Sequence, residues 1–294
     1  MQTIEDIQSE LRNRGIPGWL FYDHHHRDAI AYHVLGLPES LMVSRRWFYL
    51  VPADGDPIKL VHRIEPHHLD ALPGKKIKYA AWLELVSQLR TMLSGLPSVA
   101  MQFSPENMIF TISTADAGMV DLIRSFGVKV VSSADLVARF EATWSAKQIE
   151  THFAAARGID EIMAEVFPEI GRRVRKGGTT EFEIQQWLVE AFRRQGLIAD
   201  AAPIVAVNQN SSDPHYMPTA DRCTPIRTGD FVLLDVWGKL DEPNSVYYDI
   251  SWTGCIGDSV PERVREIFDI VRRSRDAGIE KVTATIAARK KLAG

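Results

Sequence analysis

Two apolar runs, Phe231–Trp237 and Val246–Ile256, each carry one aspartate in their interior, Asp235 and Asp249. Between them lies Leu240–Ser245, made mostly of Asp, Glu, Pro, Asn and Ser, the residues of turns. The pattern reads as a β-hairpin. Side chains alternate faces along a strand, and the two aspartates stand an even number of residues apart, so they share a face. With the turn centred near Glu242 they are directly opposed, with Cβ atoms roughly 4.5–5.5 Å apart, where like charges destabilise. An unpaired buried carboxylate costs more still. No Lys or Arg interrupts either run. A divalent cation, or two cations bridged by a carboxylate, is the simplest species to lie between them. The competing reading is a pair of solvated or strand-capping aspartates; the four apolar residues before Asp235 weigh against it.

Upstream, the apolar run Ile204–Val207 leads into a polar loop that carries His215. The rest of the chain supplies no other catalytic pattern. There is no P-loop, GxGxxG, GxSxG or HExxH. A net charge of −4 leaves no electrostatic footprint for nucleic acid. The two cysteines, Cys223 and Cys255, form no CxxC unit and fit a reducing compartment. The first residues, MQTIEDIQSELRNRG, read as an amphipathic helix rather than a secretory signal, and no apolar run is long enough to span a bilayer. Cytoplasmic location and no membrane partner are the expectation.

The first half alternates strands and helices. Strands are predicted at Gly18–Tyr22, Arg46–Pro52, Pro57–His62, Ser98–Phe103 and Val128–Ser132, with an Asp-Gly hairpin signal between the second and third. Helices are predicted at Asp28–Leu35, Trp82–Leu93 and Thr114–Phe126. This is an α/β domain around a mixed sheet. His24, His25 and His26 are consecutive, so their side chains diverge; they read as a solvated loop, and a metal site built on them needs distant partners such as His62, His67 or His68.

The alternation stops at Ala142–Ser145, and the boundary is placed near residue 143. Ser145 with Gln148 is a capping box that opens a long helix, which Pro168 is expected to kink. Thr180 with Glu183 opens a second capped helix, ending at Gly196. After the hairpin, a last helix runs to about Arg289 with an apolar stripe through Val264, Ile267, Phe268, Val271, Ile279, Val282 and Ile286.

Taken together, PIVAVNQN, DPHY, GDFVLLDVWG and YYDISWTG in this order resemble the pita-bread metallopeptidases: aminopeptidase P, Xaa-Pro dipeptidase, methionine aminopeptidase and the related hydrolase creatinase. The resemblance implies a creatinase-type N-terminal α/β domain over residues 1–143 and an α+β pita-bread domain, incomplete, over 144–294. It implies two divalent cations, manganese, cobalt or zinc, with Asp235 as bidentate ligand to one and Asp249 bridging both. It makes His215 the histidine near the scissile bond, which positions the substrate and stabilises the tetrahedral intermediate. The substrate it implies is a peptide with proline at the second position, and family members with this N-terminal domain often form homodimers.

The sequence also departs from the family pattern. The family takes three further ligands, one His and two Glu, from strands after the last helix, and no residue here matches them. Trp252 stands where many members carry Arg. The chain is therefore expected to be C-terminally truncated relative to the family, to hold its metals weakly, to leave an apolar face open and to be inactive as given. Two other readings stand beside this one: a metal-free C–N hydrolase of creatinase type with His215 as base, and a non-enzymatic interaction protein that pairs through the open face.

Overall fold

The computed structural model describes residues 3–292 apart from Glu39 and Leu41. Met1 and Gln2, at the head of the first predicted helix, and the final Ala293 and Gly294 lie outside the described residues. The chain divides into two compact units, Met1–Trp144 and Ser145–Gly294. Among the described residues no helix is long and apolar enough to cross a membrane.

The first unit runs α1 (Ile4–Arg14), β1 (Gly18–Asp23), α2 (Ala29–Leu35), β2 (Trp47–Pro52), β3 (Ile58–His62), β4 (Lys75–Tyr79), α3 (Trp82–Met92), β5 (Ser98–Met101), α4 (Ala117–Arg124), β6 (Lys129–Ser132) and α5 (Ala134–Phe140). Its six strands form one mixed sheet in the order β4-β3-β2-β1-β5-β6. The β1/β2 and β2/β3 pairs are antiparallel, and β3/β4, β1/β5 and β5/β6 are parallel. Every residue of β1 is buried, because packed side chains cover both faces of the central strand. The predicted Thr114–Phe126 helix begins only at Ala117, because Asp116 caps it by accepting from the Met119 N–H at 2.9 Å. Strand β4, with the sequence KKIKY, was not expected; its lysines mask a sheet edge, where charge is common. Helix α5 was likewise unforeseen.

The second unit runs α6 (Ala146–Arg175), β7 (Thr179–Thr180), α7 (Glu181–Arg194), β8 (Leu197–Ile198), β9 (Ile204–Val207), β10 (Pro225–Ile226), β11 (Phe231–Leu240), β12 (Tyr248–Cys255) and α8 (Glu262–Leu292). Both capping boxes form as predicted. Pro168 lies inside α6, and helical residues continue on both sides of it. Strand β11 pairs antiparallel with β12, β9 and β8. Its inward residues Val232, Leu234 and Val236 share a core with Ile159, Met163 and Val166 of α6 and Ile184, Leu188 and Phe192 of α7. One face of the hairpin is thus buried under two helices, and the alternation of β11 puts Asp235 on the other. On α8 the apolar side chains of Ile267, Phe268, Val271, Ile279, Val282 and Ile286 are exposed.

Candidate metal centre

The two aspartates do share a face, but they are not directly opposed. Asp235 pairs with Ser251, and Asp249 with Trp237. The hairpin therefore centres on Pro243 rather than on Glu242, and moving the centre by one residue moves the pairing by two. The turn itself explains the shift. Strand β11 extends through Leu240, and Asn244 takes the left-handed conformation at φ 60°. Ser245 donates from Oγ to the Leu240 carbonyl at 2.6 Å and from its N–H to the Glu242 carbonyl at 3.2 Å. The aspartates become diagonal neighbours, with Cα atoms roughly 7–8 Å apart and flexible carboxylates that reach closer.

Each carboxylate has a distinct setting. Asp235 accepts a hydrogen bond from Ser251 Oγ at 2.7 Å. Asp249 is exposed on β12, yet its pKa is raised above the ordinary aspartate value, first by partial desolvation and then by the negative charge of Asp235. Beside them, Trp237 donates from Nε1 to Asp200 Oδ1 at 2.6 Å, and this bond holds the Asp200 carboxyl below its usual range. Neither Ser251 nor Asp200 was singled out from the sequence. Ser251 lies two residues beyond Asp249, so strand parity alone would have placed it on the same face.

This like-charge pair has a measurable consequence. With no cation bound, Asp249→Asn should stabilise the second unit by about 0.5 kcal/mol, the scale of a cross-strand charge pair. The raised pKa gives the sign. The wild type loses this much as pH rises through the carboxylate range and Asp249 ionises, whereas the variant does not. Denaturant unfolding of both proteins at acidic and neutral pH measures it; equal pH profiles would show that the aspartates do not sense each other.

His215 occupies an exposed turn of the 208–224 loop, where its N–H donates to Asp213 Oδ1 at 3.0 Å. Among the described residues no group of three or more His, Cys, Asp or Glu is placed to hold a metal ion. His215 is therefore not gathered with Asp235 and Asp249, and His24, His25 and His26 do not form such a group with one another or with other histidines. Two carboxylates supply the hard oxygen donors that divalent ions accept, but such ions take about four or more ligands. The pair fits as part of a donor set.

Residues 150–290 match the model of metallopeptidase family M24. A putative Xaa-Pro aminopeptidase of Mycoplasma genitalium is 30% identical over 117 residues, 39% of this chain and 31% of that relative. Among solved structures, dipeptidase PepE from Mycobacterium ulcerans aligns with a TM-score of 0.59 at 19% identity, over 89% of this chain and 66% of that one. The X-Pro aminopeptidase from Thermotoga maritima aligns at 0.53 and 17%, over 94% of this chain and 71% of that one. At these identities the structural likeness is one of fold. The chain spans about a third of the mycoplasma relative and just under two thirds of PepE.

Proposed function

We propose, on the premise that residues 150–290 are a metallopeptidase family M24 domain of pita-bread fold, that this unit carries part of a dinuclear centre for cleaving Xaa-Pro peptide bonds. Asp235 and Asp249 are the two ligands it contributes. The observation that carries the reading is their shared hairpin face, on which Asp235 is the charge that acts on Asp249. Divalent cations, when bound, polarise the scissile carbonyl and lower the pKa of water. The residues of the chain have simpler tasks. Ser251 fixes one oxygen of Asp235, and Asp249 offers a carboxylate destabilised until a cation reaches it. His215 stands on the loop that leaves β9, where an imidazole can bind and orient a peptide next to proline. The first unit is the creatinase-type N-terminal domain, and the assembled protein is a cytoplasmic homodimer.

Two measurements on the 294-residue chain test this reading. Manganese should bind weakly, and binding should fall at least about tenfold in Asp235→Ala and in Asp249→Ala, the loss expected when a ligand that supplies more than 1.4 kcal/mol is removed. Hydrolysis of a Xaa-Pro dipeptide with added manganese should stay at the blank rate, because two carboxylates do not complete a centre. Manganese affinity unchanged by both substitutions would remove the aspartates as ligands. Turnover without metal, lost in His215→Ala, would instead identify a C–N hydrolase with a histidine base.

A further inference from the structure

Glu181 opens α7 and is wholly buried, at 0% exposure. From sequence it is only an acidic residue in a helix first turn. In the fold its carboxylate accepts four hydrogen bonds, all from neutral donors. Oε1 receives the Val207 N–H at 2.7 Å and Asn210 Nδ2 at 2.9 Å. Oε2 receives the Tyr216 hydroxyl at 2.6 Å and the Thr224 N–H at 2.6 Å. The Glu181 N–H donates in return to the Thr224 carbonyl at 3.1 Å. A buried carboxylate is tolerated only when its oxygens are saturated in this way.

The positions of those donors matter more than their number. Val207 is the last residue before the loop, Asn210 lies in its first turn, Tyr216 follows His215 directly, and Thr224 closes the loop. One side chain therefore grips the His215 segment at entry, middle and exit. The grip is tied to the hairpin as well. Asn208 donates from Nδ2 to Asp230 Oδ1 at 2.8 Å and accepts the Phe231 N–H at 3.0 Å, so the loop root is pinned to the start of β11. There Val207 pairs with Val232, three residues, or roughly 10 Å at about 3.4 Å per residue, from Asp235. His215 itself is held by its backbone N–H donating to Asp213, and the clamped Tyr216 next to it fixes the segment on its other side.

We propose that Glu181 is the positioning residue of the 208–224 loop: through Tyr216, Asn210 and the two backbone amides it sets where His215 stands relative to the Asp235–Asp249 face. The functional meaning rests on the Xaa-Pro reading above, but the clamp itself is a property of the free protein and is tested there.

Glu181→Gln keeps the shape but replaces one acceptor oxygen by a donor that cannot meet a backbone N–H. Tyr216→Phe removes a single strand of the grip. Hydrogen exchange across residues 204–226 and the ring resonances of His215, assigned with His215→Ala, are measured without metal or substrate. Amides of the loop in Glu181→Gln should exchange roughly tenfold or more faster, and the His215 signals should move. Exchange in β11 and β12 should stay at wild-type rates, and Tyr216→Phe should give a smaller change of the same kind. A silent His215, or exchange that rises equally across the whole unit, would overturn the proposal, because the latter is what a merely structural carboxylate does. Manganese broadening of Ser251 and Trp237 signals is recorded separately. Its absence would count against the metal reading and would leave the clamp result standing.

Discussion

Raising the pH from about 4 to about 8 should cost the first unit up to about 4 kcal/mol of stability, and Asp28→Asn should remove most of that slope. Asp28 is 2% exposed at the N-terminus of α2. Gln102 donates from Nε2 to its Oδ2 at 2.6 Å, and Trp19 holds Gln102 by donating from Nε1 to Oε1 at 3.0 Å. The Ala31 N–H donates to Asp28 Oδ1 as well, at a long 3.3 Å. Those bonds favour the charged form, but burial outweighs them and pushes the Asp28 pKa up to about 7; Asp23 adds to the rise. The folded state thus binds a proton that the unfolded chain has already released. Stability is highest below the ordinary aspartate pKa and falls as pH rises towards about 7, the reverse of a salt-bridged carboxylate. Unfolding followed through the buried Trp19 and Trp47, wild type against variant, isolates the effect, since groups such as Asp70 act equally in both. Parallel curves across the range would mean that Asp28 is ionised in the folded state at little cost.

What the sequence made legible, and what it hid, separates by range of interaction. Strand alternation and capping boxes are local, so the placing of Asp235 and Asp249 on one face and the starts of α6 and α7 were readable from residue order. The pairing register was not. It hangs on Asn244 taking a positive φ and Ser245 reaching back to Leu240, a choice among turn geometries that composition leaves open. Glu181 was hidden for a different reason. Its role exists only once Val207, Asn210, Tyr216 and Thr224 converge on it from up to 43 positions away. Asp28 is similar: as the first residue of a predicted helix it looked ordinary, and Gln102, just past the end of β5 and 74 positions on, reaches it only in the fold. Family resemblance supplied expected roles for His215 and the aspartates that no spacing could.

Gly254→Val should destabilise the second unit by about 2–3 kcal/mol and weaken whatever manganese the hairpin binds. Gly254 lies on β12 opposite Val232, on the face turned to α6. A Cβ there would stand 2.6 Å from Phe167 Cε1 and 3.0 Å from Cδ1, closer than carbon atoms approach. Phe167 is half-buried against the core of Val166, Ile170 and Val232 and precedes Pro168, so it yields only by moving the ring outward or by pushing β12 off the helix. Displacement of β12 carries Ser251 and Asp249 with it, since they lie three and five residues back on the same strand. The covered face of the hairpin thus sets the geometry of the acidic face. Pairing Gly254→Ala with Phe167→Ala separates the two routes. If steric conflict with the ring is the cause, the alanine ring deletion should recover most of the loss caused by Gly254→Ala, a coupling of at least about 1 kcal/mol in the cycle. Additive losses, or a Gly254→Val protein as stable as wild type, would mean that the helix does not hold the strand that carries Asp249.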